Sequence, residues 1–142
     1  MATRGTYCFD NKARGFQTNF YIHWDNYPKG AAVYLYEAVK HQQTSNEPSD
    51  RCLATCFIKA NKTVEFTHSH DYHGDTDYQY DITIFVNKEP TIEVRKIIRD
   101  WELDTRYSEL YFKGNLYDFV NKELADETED YPPLTQNNAL QG

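Results

Sequence analysis

The feature that most constrains the fold is the run YQYDITIFV at residues 78–86. Tyr78, Tyr80, Ile82, Ile84 and Val86 occupy alternate positions, and mostly polar residues stand between them. Because successive side chains of a strand point to opposite faces of the sheet, this alternation predicts a strand with one buried face and one wet face. Strands of that kind are typical of antiparallel sheets. The run therefore predicts an antiparallel sheet at the centre of the fold.

Other segments complete the expected sheet and cover it. A hairpin that turns at Gly15 joins two predicted strands, 5–10 and 17–24. Three more segments have strand character: 63–67, 91–98 and 106–112. Helical periodicity follows Pro28 as far as Gln43, recurs through 50–60, and resumes after Asn115, a residue suited to capping a helix. We predict one α+β domain over residues 1–125, with four to six antiparallel strands and two or three helices mainly on one face.

The charge of the chain is acidic and uneven. The formal net charge is −7, and residues 121–142 contain five acidic residues against Lys122 alone. We predict a flexible acidic tail over 126–142, because this segment has little apolar surface to offset the entropy of ordering it. An acidic chain repels nucleic-acid phosphates and suits a basic protein surface. The expected partner is therefore a protein, with no direct contact to nucleic acid.

The cysteines and the hydropathy pattern indicate the compartment. Cys8, Cys52 and Cys56 form no even disulfide framework, and neither a signal-like segment nor a run of about 18 apolar residues occurs. We expect a cytoplasmic protein that does not contact membranes. Cys52 and Cys56 lie one turn apart on a predicted helix, so both are expected to pack as small apolar side chains.

Three of the five histidines lie in the loop HSHDYHGDT, residues 68–76. Imidazole and carboxylate groups are ordinary ligands of zinc and other transition metals. His68, His70, His73 and Asp75 could hold a divalent ion, with Asp71 as a general base. This arrangement would make a small metal-dependent hydrolase acting on a nucleotide. The alternative is a polar turn or a contact surface, which needs no cofactor.

The segment YIHWDNYPKG, residues 21–30, joins a strand to the first helix. Asp25 and Asn26 suit a tight turn, since Asn tolerates a left-handed backbone and Asp can bond nearby N–H groups. We expect Asp25 to cap the helix that Pro28 opens, and Trp24 to anchor the junction in the core.

This segment resembles the YxHWDGYPxG stretch of a family of uncharacterised small proteins from phages, prophages and other mobile elements. A looser similarity continues over HGDTDYQY, residues 73–80. Asn26 stands where that family usually has Gly. The resemblance implies a mobile-element setting. It implies no activity and no catalytic residue.

Nucleophilic and acid–base catalysis have little support in the sequence. No GxSxG, phosphate-loop or HExxH motif occurs. Cys8 and His23 lie on adjacent predicted strands and could form a Cys–His pair in one register. Asp77 and Asp81 should share the wet face of a strand, where solvated carboxylates are ordinary. A packed thiol and a solvated face are the expected outcomes.

These observations predict a non-enzymatic binding protein from a mobile element. Its expected role is phage-encoded inhibition of a host protein with a basic surface, such as a bacterial immune effector in the manner of an anti-CRISPR protein. The tail would assist a contact set of tyrosines, carboxylates and one imidazole: Tyr72, His73, Asp75, Asp77, Tyr78 and Tyr111. The metal-dependent hydrolase is the alternative function. A homo-oligomeric structural protein with an aromatic interface is the third.

Overall fold

The computed structural model describes residues 2–135. In chain order the elements are β1 (Gly5–Asn11), β2 (Phe16–Ile22), α1 (Pro28–Thr44), α2 (Leu53–Ala60), β3 (Glu65–Phe66), β4 (Tyr78–Ile84), β5 (Thr91–Asp100), β6 (Thr105–Asn115) and α3 (Leu116–Glu123). Short 3-10 turns occupy Pro48–Arg51 and His70–Tyr72. None of the helices within 2–135 has the length and apolar content needed to cross a membrane.

The six strands form one sheet in the order β3-β2-β1-β4-β5-β6. Four of the five strand pairs are antiparallel, and β1 and β4 run parallel, with Tyr7 opposite Tyr80. The α+β prediction is confirmed, although the sheet is mixed rather than purely antiparallel. The parallel pair arises because the connection from β3 to β4, residues 67–77, crosses β2 and β1 before the chain re-enters the sheet beside β1.

The helices pack on one face of the sheet and enclose a single core. The alternation at 78–86 is confirmed as far as β4 extends, since Tyr80 and Ile82 are fully buried. The strand ends at Ile84, which leaves Val86 exposed beyond it. Aromatic side chains fill much of the centre, where Tyr7 stacks on Tyr80 at 4.7 Å and Phe57 contacts Tyr7, Phe9 and Phe20. This packing leaves the opposite face of the sheet for the His-rich loop.

The junction between β2 and α1 is organised by Asn26, which is fully buried. Its amide nitrogen donates to the carbonyls of Thr3, Ile22 and Trp24, and its side-chain oxygen accepts from the Tyr7 hydroxyl at 2.6 Å. The Tyr80 hydroxyl donates to the Asn26 carbonyl at 2.5 Å. Every polar group of the Asn26 side chain is therefore satisfied inside the fold.

Three details of this junction differ from the sequence prediction. Asp25 rather than Asn26 has the left-handed backbone, with φ 61°. The N-cap of α1 is Tyr27, whose side chain makes no capping hydrogen bond. Trp24 is 53% exposed instead of anchoring the core. The last difference has a simple cause: β2 ends at Ile22, so its alternation does not reach Trp24.

Two residues of the segment 126–135, for which the sequence predicted a flexible tail, pack against the helices: Tyr131 and Leu134. Leu134 is buried, and Asn121 bonds both its N–H and its carbonyl, at 2.7 and 3.0 Å. The Tyr131 ring meets Tyr36 edge-on at 5.1 Å. These two apolar side chains supply the buried surface that the composition of the segment did not suggest. Residues 136–142 of the predicted tail lie outside the described residues.

Candidate binding surface on the open face

The His-rich loop, residues 67–77, crosses the sheet face that the helices leave open. His70 fixes the loop to this face through both ring nitrogens. Its Nδ1 lies 2.6 Å from the Thr6 hydroxyl on β1, and its Nε2 lies 2.8 Å from the Asp81 carboxylate on β4. The imidazole therefore bridges the two parallel strands at the centre of the sheet.

The Thr6–His70–Asp81 contacts have the composition of a hydroxyl–imidazole–carboxylate catalytic triad but not its accessibility. Thr6 is 1% exposed, so its hydroxyl cannot meet a substrate. His70 therefore has no accessible hydroxyl on which to act as a general base. We interpret the three residues as a clasp that orders the loop.

The predicted Cys8–His23 pair does not form. Burial raises the pKa of the Cys8 thiol to about 11, and the nearby charges of Asp81 and Asp10 act in the same direction. The thiol is therefore protonated at neutral pH, whereas a nucleophilic cysteine needs the thiolate. His23 instead lies beside Tyr21, with its Nδ1 3.1 Å from the phenol oxygen.

The predicted metal ligands make separate contacts within the fold. His70 is held by Thr6 and Asp81, as described above. His73 stacks on Tyr21, His68 contacts Tyr72, and Asp75 pairs with Arg4 at 3.1 Å. Within residues 2–135, the ligand-type side chains that gather in a group of three are His41, Asp50 and Cys56, away from this loop.

That second group is an ion-pair cluster. The Asp50 carboxylate already accepts from the Lys59 ammonium at 2.7 Å, the Ser45 hydroxyl at 2.5 Å and His41 at 3.0 Å. The Lys59 ammonium and His41 thus meet at the Asp50 carboxylate, so the cluster joins α1 to α2 through an ion pair.

A continuous series of ring contacts runs along the open face and connects the His-rich loop to the 21–30 segment. We call it the aromatic track, and its members in spatial order are Trp24, His23, Tyr21, His73, Tyr72 and His68. Neighbouring centroids are 3.9 to 6.3 Å apart. The two sequence segments that looked like separate candidates therefore form one surface.

The aromatic track combines rigid anchoring with exposed rings. Tyr21 is buried beneath His73, and burial, with the charge of Asp75 as the next contribution, raises the pKa of its phenol. Trp24 is 53% exposed and Tyr72 is 64% exposed. The track thus presents an indole and a phenol ring to solvent on a base that the sheet holds in place.

Carboxylates border the aromatic track. Glu65 is directly opposite Tyr21 in the sheet, and Asp25 follows Trp24 in the chain. Asp71 and Asp75 border the loop end, and their charges are partly matched by Arg106 at 3.5 Å and Arg4 at 3.1 Å. Ring faces with carboxylates beside them suit guanidinium and ammonium groups, which combine cation–π contact with charge-assisted hydrogen bonds.

The predicted contact residues divide between two sides of the sheet. Tyr72, His73 and Asp75 lie at the aromatic track. Tyr78 is half-buried against the core on the helix side, and Tyr111 donates to Glu123 of α3 at 2.9 Å. The structure therefore does not bring the two tyrosines of the helix side together with the loop residues.

Asp77 stabilises the loop from within. Its carboxylate accepts from the backbone N–H of Arg4 at 2.9 Å and from Arg99 at 3.4 Å. Arg99 also donates to the carbonyls of Gly74 and Thr76. Much of the acidic charge expected to face a partner is thus matched inside the chain.

Sequence reasoning missed Tyr21, His23 and Trp24 as members of the candidate surface. Their signal was present in the aromatic string YIHW, which we interpreted as a structural junction.

Comparison of the chain with known families, curated proteins and solved structures gave no match.

Proposed function

We propose that this protein is a non-enzymatic binding domain that docks its aromatic track on a basic surface of another protein. The observation that carries the proposal is the pair of exposed rings, Trp24 and Tyr72. They lie toward opposite ends of the aromatic track, which carboxylates border. Tryptophan and tyrosine are the residues that most often dominate binding energy at protein interfaces, and arginine is their frequent counterpart.

Preorganisation favours this function. The His70 clasp and the Tyr21–His73 stack fix the loop before any partner arrives. Binding then costs less conformational entropy than it would for a mobile loop. Tyrosine adds contact area with few rotatable bonds, so the ordering cost of the exposed rings is also small.

The hydrolase alternative has weaker support. It needs an accessible nucleophile beside a base, or converging metal ligands. In the described part of the chain the Thr6 hydroxyl beside His70 is buried, the Cys8 thiol is protonated at neutral pH, and the loop histidines contact separate residues.

The resemblance of residues 21–30 to mobile-element proteins suggests the biological setting. We propose a phage-encoded inhibitor acting in the host cytoplasm, whose partner is a host protein with exposed Arg or Lys. Nucleic-acid-binding effectors of bacterial immunity present such surfaces, since they must attract phosphates. Occupying that surface would exclude the nucleic acid.

A titration with a defined peptide tests the binding chemistry. The probe is acetyl-Gly-Arg-Gly-Arg-Gly-amide, followed by NMR of ¹⁵N-labelled protein, and the control is the peptide with citrulline in place of both arginines. Citrulline retains the shape of arginine and removes its charge. We expect shifts at residues 21–24 and 68–73 with the arginine peptide alone.

Variants show whether the exposed rings are responsible. Trp24→Ala and Tyr72→Ala should each lower the affinity for the arginine peptide by about threefold to tenfold, the range expected from losing one cation–π contact. Phe16→Ala removes a similarly exposed ring from the other end of β2 and should leave affinity unchanged. Equal binding of the two peptides, or equal affinity in all three variants, would refute the proposal.

A further inference from the structure

The hairpin of β5 and β6 extends beyond the rest of the sheet. Strand β4 accompanies β5 only as far as Lys96, opposite Tyr78, whereas the pairing of β5 with β6 continues to Asp100 and Thr105. The far end of the hairpin is therefore a two-stranded ribbon. Arg99 and Arg106 brace its base by donating to the Gly74 carbonyl of the His-rich loop.

The tip of this ribbon, residues 100–104 with the sequence DWELD, combines two unusual properties. Trp101 is 82% exposed and Leu103 is 71% exposed. The three acidic side chains of the tip form no ion pair with any described residue: Asp100, Glu102 and Asp104. Exposed apolar surface and unmatched negative charge thus alternate over five consecutive residues.

The shape of the tip is defined. The Asp100 carboxylate accepts from the backbone N–H groups of Glu102 and Leu103, at 3.1 and 3.2 Å, and Asp104 has a left-handed backbone with φ 50°. A turn held in this way presents Trp101 in a restricted set of positions, which lowers the cost of inserting it into a partner.

The acidic residues of the tip differ in their ion pairing from those of the His-rich loop, and this difference indicates a binding role for the tip. In that loop Asp71, Asp75 and Asp77 all pair with arginines of this chain. Among residues 2–135 the charges of the tip have no such partners, and the indole of Trp101 is largely exposed. An exposed tryptophan flanked by unmatched carboxylates has the composition of an anchor residue and its polar rim.

We propose that the hairpin tip enters an apolar pocket, rimmed by Lys or Arg, on the protein partner. The inference rests on the proposed binding function and adds to it the element that penetrates the partner. Trp101 and Leu103 would fill the pocket, while Glu102 and Asp104 would meet the basic rim. Arg106 links the ribbon to Asp71 beside Tyr72, so the tip and the aromatic track flank the same loop.

Charge selects this occupant over two others. A second copy of the chain carries a net charge of −7, so it opposes the acidic tip. Anionic lipid headgroups also repel three carboxylates, although lipid would accept the indole. A basic protein satisfies both the apolar and the acidic parts of the tip.

A peptide that mimics a basic-rimmed apolar pocket tests the inference. The probe is a short amphipathic helix with a leucine stripe flanked by lysines, and the control peptide has glutamate in place of lysine. The chain has two tryptophans, so Trp24→Phe leaves Trp101 as the reporter. We expect the Leu/Lys peptide to shift the Trp101 emission to shorter wavelength, and the Leu/Glu peptide to leave it unchanged.

Charge-matched variants separate docking from general attraction. The double variant Glu102→Lys with Asp104→Lys should lower the affinity for the Leu/Lys peptide about tenfold or more, because two close charge contacts are lost. Glu129→Lys with Asp130→Lys changes the net charge equally at exposed positions away from the hairpin and should have a much smaller effect. An unshifted Trp101 emission, or equal weakening by the two double variants, would overturn the tip assignment.

The same variants keep this inference distinct from the proposed function. The tip double variant should leave the citrulline-sensitive shifts at residues 21–24 and 68–73 in place. If those shifts persist while the tip assignment fails, the aromatic track remains the binding surface and only the hairpin role is refuted. If the shifts are absent in every variant, the proposed function fails whatever the tip does.

Discussion

Tyr21 and His73 stack face to face, with ring centroids 3.9 Å apart and 9° between their planes. Tyr21 belongs to β2, and His73 belongs to the His-rich loop that precedes β4. The contact joins two segments that are far apart in the sequence and makes the aromatic track continuous. Because His70 fixes the same loop to β1 and β4, the stack depends on the clasp as well as on its own two rings.

Replacing His70 by Ala should release the loop without unfolding the domain. The substitution removes bonds to Thr6 and Asp81 and leaves a buried hydroxyl unpaired, so we expect the free energy of unfolding to fall by about 1–3 kcal/mol. Urea denaturation measures this change. Amide hydrogen exchange should accelerate in residues 68–77 while β5 is unaffected.

His68→Ala is the matched control, because His68 is exposed and its ring contacts only Tyr72 among the described rings. Its unfolding free energy should change by no more than about 0.5 kcal/mol. Unaltered exchange of the loop amides in the His70 variant would show that the clasp does not order the loop.

The parts of the fold that depend on residues close together in the sequence were predictable. Gly15 has the left-handed backbone of the predicted turn, with φ 74°, and the Asn115 side chain accepts from the Asp118 N–H at the start of α3 as its cap. The β1–β4 pairing was not predictable, because no local pattern records which strand a long crossover will meet. The packing of Leu134 depends in the same way on distant helices.

The candidate surface was predictable only in part, for the same reason. Tyr72, His73 and Asp75 follow from the composition of one loop. The stack on Tyr21 and the pairing of Asp75 with Arg4 connect distant segments, which neither periodicity nor spacing reveals. Trp24 was misplaced because the alternation of β2 was extended past the end of the strand.

Asn26→Gly should strongly destabilise this protein. The substitution removes three donated bonds and leaves the buried Tyr7 hydroxyl without its acceptor. We expect a loss of about 3 kcal/mol or more in the free energy of unfolding. Asn87→Gly makes the same change at an exposed position and should cost far less. Equal effects of the two variants would show that Asn26 does not organise the junction.

Gly30→Ala should destabilise the domain, although alanine is usually favourable in a helix. A Cβ at this position would lie 1.9 Å from the Asp25 carbonyl oxygen, so the backbone of the junction must move. Overpacking of this kind costs about 1–3 kcal/mol, measured by urea or thermal unfolding. Gly74→Ala is the control, since its Cβ would meet nothing within 4 Å. A Gly30 variant as stable as the control would contradict the close approach.

The two most deeply placed thiols should react slowly in the native protein. Burial is the main cause that raises the pKa of Cys8 to about 11 and that of Cys56 to about 12, so little thiolate forms at mildly alkaline pH. Mass spectrometry after brief iodoacetamide treatment should show both unmodified, and all three cysteines modified in urea. Rapid alkylation of Cys8 in the native protein would instead support the hypothesis that Cys8 is a nucleophile.

Asp50 should make stability depend on pH in the acid range. The bond from Lys59, followed by those from Ser45 and His41, lowers the pKa of the Asp50 carboxyl from 3.8 to about 2. A lowered pKa in the folded state means that folding favours the ionised form. Its stabilising contribution is therefore complete above the unfolded value of 3.8 and disappears as the pH falls through about 2.

Asp50→Asn removes the titrating group, and comparison with the natural chain isolates its effect. Near neutral pH the variant should unfold at lower urea concentration, because Lys59 and His41 lose the charge that they contact. The difference between the urea midpoints of the natural chain and the variant should narrow as the pH falls from 3.8 toward about 2. Protonation makes the natural Asp50 side chain neutral, as the Asn side chain already is. Asp130→Asn, at an exposed position, should show little gap at any pH. A gap for Asp50→Asn that stays constant down to pH 2 would mean that the ion-pair cluster is not what joins α1 to α2.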